Sequence, residues 1–298
     1  MSAIAGWFGD NLVNIVNGVA LGMLFYTIAI GLSLVFGMLG LLNLAHGTVF
    51  LLGAYLGATL IDLRGSAGLV LAALVCAAAA GVVVGGGLTL MSRPLVGRGH
   101  MDEALLTLGI ALAGGSLMTT AFGGDPFSVA PPSFLRGSVS LVGHGYPVYR
   151  VVLIGVGLLM AVVVDLVFER TTAGALIRAI VADRDMVRAI GVDVRKVLVA
   201  VFAAGAALAA VGGVLGGPIL GAAPGLDGQV LLIALVVVVV GGLGSPRGAF
   251  LGAMLIGLLQ SLGTALIPRA APFLIFGAMA VVLIVRPSGL LGKGTASA

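Results

Sequence analysis

Long apolar runs separated by short polar punctuation dominate the chain. Runs near 12–36, 47–63, 67–91, 104–122, 148–168, 197–220, 229–243, 248–267 and 272–286 are bounded by glycine, proline or clusters of charge, and each reads as a helical span. About 20 apolar residues cover the roughly 30 Å of bilayer hydrocarbon. The 298 residues therefore allow some eight or nine crossings with short connections. The predicted class is an all-α polytopic membrane protein of about 8–9 transmembrane helices.

Two runs are interrupted in a similar way. From Gly31 the chain reads GLSLVFGMLGLLNLAHGTVFLLGAYLGATL, with glycines at 31, 37, 40, 47, 53 and 57 and a polar break at 43–46. Glycine loosens a helix, and polar backbone within a bilayer must find partners in protein or in a water-filled cavity. A broken or re-entrant helix is expected near 37–47. The second interruption, GGLGSPRGAFLGAML at 241–255, contains Pro246, which cannot donate a backbone hydrogen bond. The apolar run before it, 230–240, is barely long enough to span. The two places share a pattern, Gly47-Thr-Val-Phe50 then Gly53-Ala against Gly248-Ala-Phe250 then Gly252-Ala. Paired glycine-interrupted segments point to a transport site, and packing kinks are the competing reading. Small residues also recur four apart, at Ala73, Ala77, Gly81 and Gly85 and at Gly205, Ala209, Gly213 and Gly217. Each set lies on one helix face and admits a close helix neighbour, within the subunit or on a partner subunit.

Composition agrees with the pattern. The chain is 60% hydrophobic and 9% charged with a mean hydropathy of +1.25, against about 25% charge in soluble domains. Its formal net charge of +4 does not indicate nucleic acid, because the cations are spread over loops and not gathered into a patch with aromatics. Segment 1–10 lacks the basic n-region of a cleaved signal peptide, and the first run is read as a retained span. Cys76 is expected to be a small packing residue.

Charge is dense only at 169–196, which holds Glu169, Arg170, Arg178, Asp183, Arg184, Asp185, Arg188, Asp193, Arg195 and Lys196. Such an island must lie outside the hydrocarbon. If it is cytoplasmic, alternation places Arg93, Arg98, Arg170, Arg178, Arg184, Arg188, Arg195, Lys196, Arg247, Arg286 and Lys293 inside. Arg64, Arg136, Arg150 and Arg269 fall outside, an asymmetry that follows the positive-inside rule. The N-terminus then faces out and the C-terminus is cytoplasmic. Within the island Thr172 can cap a helix running to about Ala182, and Asp183 can cap a second, short helix ended by Gly191. Asp193 can cap the next span. Leu176, Ile180, Val187 and Ile190 are expected on one side, with Arg178, Arg184, Asp185 and Arg188 mostly on the others. An amphipathic helix pair and an ordinary solvated loop both fit. The extracytoplasmic loop at 123–147, rich in proline, is either a cap that meets a soluble delivery protein or a plain connector.

Several polar residues call for two readings. His46, beside Asn43, either contacts substrate or senses protons, or it satisfies freed backbone at a helix break near the cytoplasmic face. Asp165 is expected to be an interface residue near Arg170. Gln229, Gln260 and Thr264 suit helix–helix hydrogen bonding or a lining role. His100 and His144 are isolated in loops, and no spacing suggests a metal site. An intramembrane enzyme using Ser245 with His46 would lack an oxyanion-hole signature.

The run Arg178-Ala-Ile-Val-Ala-Asp-Arg-Asp-Met-Val-Arg-Ala-Ile-Gly191-Val resembles the ATPase-contacting loop of binding-protein-dependent ABC importer permeases. Gly31-Leu-Ser-Leu-Val-Phe-Gly37, then Leu42-Asn-Leu-Ala-His-Gly47 and Gly53-Ala-Tyr55, resembles the signature of the H-type permease of branched-chain amino acid ABC transporters. Gly241-Gly-Leu-Gly-Ser-Pro-Arg-Gly248 and Arg286-Pro-Ser-Gly-Leu-Leu-Gly292 are similar as well. The resemblance implies one transmembrane permease domain over 1–298, for branched-chain amino acids or, in related permeases, urea or short amides. It implies an ATPase-coupling loop carrying Arg178, Ala182, Asp183, Arg184, Asp185, Arg188, Ala189 and Gly191, and it leaves Asn43, His46, Gly47, Gln229 and Gln260 as translocation-path candidates. The implied partners are a second, M-type permease subunit, two cytoplasmic ATPase subunits and an extracytoplasmic solute-binding protein. The sequence has no GxxxxGK[ST]; Gly289-Leu-Leu-Gly-Lys-Gly294 has the wrong spacing. ATP and Mg are thus expected on the partner ATPases, with no cofactor bound by this chain. An ion-coupled secondary transporter is the alternative, and only Asp165 comes close to the hydrocarbon to serve it.

Overall fold

The computed structural model describes residues 2–40, 43–61, 66–92, 100–141 and 144–292. Leu41, Leu42, Arg64, Arg93, Arg98 and Lys293 lie outside the described residues, and with them part of the first break and four of the cations used to orient the chain. In order, the elements are α1 (Ser2–Leu39), α2 (His46–Leu60), α3 (Ala67–Ser92), α4 (His100–Phe122), a 3-10 turn (Ser133–Leu135), β1 (Ser138–Leu141), β2 (His144–Pro147) and α5 (Val148–Arg170). They continue as α6 (Thr172–Ala182), α7 (Arg184–Ala189), α8 (Val194–Leu220), α9 (Leu226–Gly241), α10 (Pro246–Leu266) and α11 (Ala271–Val285). Each of the nine predicted spans meets a helix. Six are long and apolar enough to cross a membrane; α2, α9 and α11, at 15 or 16 residues, fall short of the usual length. The chain is an all-α polytopic membrane protein.

Burial decides which helices are central. In the apolar window of α1, 78% of residues are buried, and in α8 56%, against 11–17% in α3, α4 and α5. α1 packs against α10, α8, α5 and α9, and α8 also holds α2 and α3. Glycine makes these crossings close. A Cβ on Gly205 would stand 2.8 Å from the Gly31 carbonyl oxygen, and one on Gly85 2.6 Å from that of Phe202, so no larger residue fits without moving backbone. The order of contacts also gives direction. Gly53 meets Ala210 and Gly57 meets Val214, so α2 runs parallel to α8. Gly31 meets Gly205 and Thr27 meets Gly212, so α1 runs antiparallel to it.

Both stripes of small residues are consumed inside the subunit. Ala73, Ala77, Gly81 and Gly85 are the buried positions of α3, apart from Leu88, and they face α8. Gly205 and Gly213 face α1 and α2, and Gly217 faces Val129. Cys76 is exposed, off the stripe that α3 packs on α8, so it has no packing role within the subunit.

Segment 123–147 is more ordered than a connector. Phe127 and Ala222 exchange backbone hydrogen bonds of 2.7 and 3.1 Å, tying it to the end of α8, and β1 and β2 form an antiparallel hairpin with Val139 opposite Tyr146. His100 opens α4 and His144 opens β2, so neither sits in a loop. Arg150, following the hairpin, donates to Asn17 in the first half of α1, whereas Leu34 in its last turns packs against the charged loop. Hairpin and charged loop therefore lie at opposite ends of the bundle.

Candidate functional site

The first break starts where Gly40, at φ +67°, turns the end of α1 and its N–H caps the Phe36 carbonyl. The chain then runs back into the bundle. Asn43 is buried and its Oδ1 accepts from the Ala45 N–H at 3.1 Å. His46, 1% exposed, places Nε2 2.8 Å from the Ile28 carbonyl oxygen. A carbonyl only accepts, so Nε2 carries the proton. Ile28 lies well inside the α1 window of Asn11–Gly37, so α2 begins deep in the bundle and not near its end. The break is present, and His46 does bond backbone, but the carbonyl belongs to the continuous helix α1 at mid-depth and not to backbone freed at the break.

This return brings α2 against α9. A Cβ on Gly47 would collide with the carbonyl oxygen of Asp227 in the first turn of α9. Next to it the Thr48 hydroxyl stands 3.4 Å from both Asp227 Oδ2 and the Ala111 carbonyl oxygen. Ala111 is the midpoint of α4's apolar window, Met101–Phe122. Asp227 is thus a carboxylate level with the middle of the spans, and sequence reasoning missed it. The run of nonpolar residues seemed to begin after it, and its contact with Thr48 joins positions 179 apart in the chain. Of the path candidates, Asn43, His46 and Gly47 gather here. Gln229 follows Asp227 but is exposed. Gln260 is remote, half-buried on α10 beside Ser261, whose hydroxyl donates to the Asn14 carbonyl near the other end of α1.

The second break is built on glycine and serine. Gly242 and Gly244 have φ of +105° and +74°, the Ser245 hydroxyl accepts from the Gly248 N–H, and Pro246 opens α10. Leu290 and Leu291 donate to the Val240 and Gly241 carbonyls that α9 leaves free. With Ser245 engaged as a cap and His46 on Ile28, the two do not make a catalytic pair.

The charged loop folds as two helices. Thr171, one residue before the expected Thr172, caps α6 by accepting from Gly174 N–H, because Thr172 already has helical backbone. Asp183 caps α7 by accepting from Asp185 and Met186, Gly191 ends it at φ +86°, and Asp193 caps α8 by accepting from Arg195. Ile180 and Val187 are buried and Leu176 half-buried in a small core with Val194, Leu198 and Leu34. Ile190, expected on that side, is 69% exposed: α7 ends at Ala189, and Ile190 is its C-cap, where the chain turns away through Gly191. Met186, one turn before it, and Val181 at the end of α6 are exposed as well, and a shallow depression of about 310 Å³ is lined by Arg188, Gly191 and Arg195. Arg178 points the other way. Its guanidinium donates to the Phe168 carbonyl at the end of α5 and lies 5.6 Å over the Phe168 ring, fastening α6 to α5.

Asp165, expected as an interface residue near Arg170, is paired with Arg247 of α10. The guanidinium of Arg247, in the first turn of α10, grips both carboxylate oxygens at 2.6 and 3.1 Å and reaches Glu169 at 3.7 Å. The second break and the helix leading into the charged loop are thereby joined. Among the described residues no cluster of His, Cys, Asp or Glu could hold a metal ion.

The family described as "Branched-chain amino acid transport system / permease component" matches residues 14–285. The high-affinity branched-chain amino acid transport system permease protein BraD of Pseudomonas aeruginosa is 29% identical over 95% of this chain and 96% of its own. LivH of Escherichia coli K12, of the same description, is 28% identical over 93% and 94%. A probable branched-chain amino acid transport permease of Methanocaldococcus jannaschii is 25% identical over 90% and 89%. Among solved structures, PsaBC from Streptococcus pneumoniae in complex with Fab matches 93% of this chain and 91% of its own, at 11% identity and a TM-score of 0.49. The chain, matched over nearly its whole length, belongs to the branched-chain amino acid transport system permease family.

Proposed function

We propose that the chain is one membrane-spanning subunit of an ATP-driven importer of branched-chain amino acids, coupled to separate ATPases through α6 and α7. The observation that carries the coupling role is the exposure of apolar Val181, Met186 and Ile190 on a capped helix pair whose other face is held in a small core. Apolar side chains in such a position suit burial against a protein partner. Family membership supports the substrate, and the absence of a phosphate-binding GxxxxGK[ST] in the sequence leaves ATP and Mg to the partners.

In this reading the charged loop is cytoplasmic, the C-terminus lies on the same side and the hairpin segment 123–147 faces outward to a solute-binding protein. The weakly buried faces of α3, α4 and α5 then meet lipid or the second permease subunit. ATPase closure pushes α7, α6 moves with it, and the Arg178–Phe168 and Arg247–Asp165 contacts pass the displacement to α5 and α10. Asn43 and His46 are supports of the first break and not substrate ligands. Co-purification with the products of adjacent transporter genes tests the assembly: recovery with a second permease and two ATPases agrees with it. Recovery as a self-sufficient chain that transports on an ion gradient without ATP contradicts it.

A further inference from the structure

Asp227 is a half-buried carboxylate at the middle of the bundle that no charged group among the described residues neutralises. A carboxylate offers about four acceptor sites, and this one is met by a single hydroxyl, Thr48, at a long 3.4 Å and shared with Ala111. No Lys, Arg or His makes an ion pair with it among the described residues. Nor does it cap its own helix, since Gly225 holds the N-cap of α9 with no side-chain bond. On the same oxygen, Gly115 of α4 comes close without a side chain: a Cβ there would stand 3.4 Å from Oδ2. The hydroxyl of Tyr55, two turns along α2 on the same face as Thr48, is buried and has no hydrogen-bond partner among the described residues. The Tyr55 ring is fixed by stacking on Phe122 at 4.6 Å and by an edge contact with Phe127.

An unpaired charge at that depth is costly unless something arrives to meet it. We propose that Asp227, with the Thr48 and Tyr55 hydroxyls, receives the α-ammonium of the amino acid as it crosses, while the apolar walls of α2, α4 and α9 accept its side chain. The inference rests on the importer reading above and sharpens it. A zwitterionic amino acid supplies the cation that the site lacks, whereas a neutral urea or amide does not.

The test uses the complete importer in proteoliposomes with its solute-binding protein, ATP and radiolabelled L-leucine, comparing wild type with Asp227→Asn and Asp227→Glu. Removing one partner of a charged hydrogen bond predicts about a tenfold or greater fall in leucine moved per ATP hydrolysed by Asp227→Asn. ATPase activity stimulated by the loaded binding protein stays within about twofold of wild type, and Asp227→Glu recovers most of the transport. A purely structural role would lower ATPase and transport together and would not favour Glu. If wild type imports leucine and Asp227→Asn does so equally well, or if ATPase falls in parallel with transport, the ammonium site is overturned and the importer reading stands. If wild type imports no leucine, both fall.

Discussion

Gly37, near the end of α1, lies backbone to backbone with Gly244 in the turn between α9 and α10: a Cβ on Gly244 would stand 2.6 Å from the Gly37 Cα. The two helix breaks, 207 positions apart by the difference of 244 and 37, therefore meet. Gly244→Ala has both a collision and a positive φ against it, Gly37→Ala the collision alone. Overpacking of this kind costs about 1–3 kcal/mol, and a left-handed φ adds about 1–2. Melting of the detergent-solubilised protein should fall for both, further for Gly244→Ala. Gly86→Ala in α3, with nothing within 4 Å, should leave it unchanged or slightly raised.

His46 is expected to be a support. His46→Ala removes the bond to Ile28, whose carbonyl keeps its place in the α1 ladder, and leaves a buried gap, a loss of about 1–3 kcal/mol from the lost bond and the cavity. The melting temperature should drop accordingly. For whatever transport remains, the pH profile between about 5.5 and 8, where histidine titrates, should follow wild type. A profile that flattens in His46→Gln would instead make it a proton sensor.

Met186→Glu and Ile190→Glu should uncouple the ATPases without harming the chain, because both side chains are exposed and support no core. Binding of the ATPases should weaken about tenfold or more, as for loss of an apolar anchor from an interface. Val187→Glu is the contrast: it places a charge in the small core beneath and should unfold the loop, read as new protease sites between 171 and 193.

Reversal of an ion pair offers a cleaner probe of transmission. Arg247→Asp should reduce transport per ATP, since Asp165 and Glu169 then face a third carboxylate. Combining it with Asp165→Arg should restore part of the loss. Absence of any coupling between the two substitutions in a double-mutant cycle would remove this contact from the pathway.

Much of this organisation was legible in the chain. Nine apolar runs became nine helices, both breaks fell where glycine and polar residues gathered, and Asp183, Gly191 and Asp193 did the capping work their types predict. Local signals of this sort depend on neighbours within about four residues. What was hidden depends on contact between distant segments. Asp227 drew no reading, because only the closure of α2 and α4 around it sets it apart, and Asp165 could not be matched with Arg247 across 82 positions. Ile190 failed for a different reason: helical spacing was carried past Ala189, where α7 ends.

The most direct measurement of the central claim is uptake of radiolabelled L-leucine into proteoliposomes holding this chain with its second permease, two ATPases and solute-binding protein. Accumulation that requires ATP and the binding protein, is insensitive to ionophores and is lost in Met186→Glu is the predicted result. Leucine accumulation by this chain alone, driven by an ion gradient without ATP, would contradict the account.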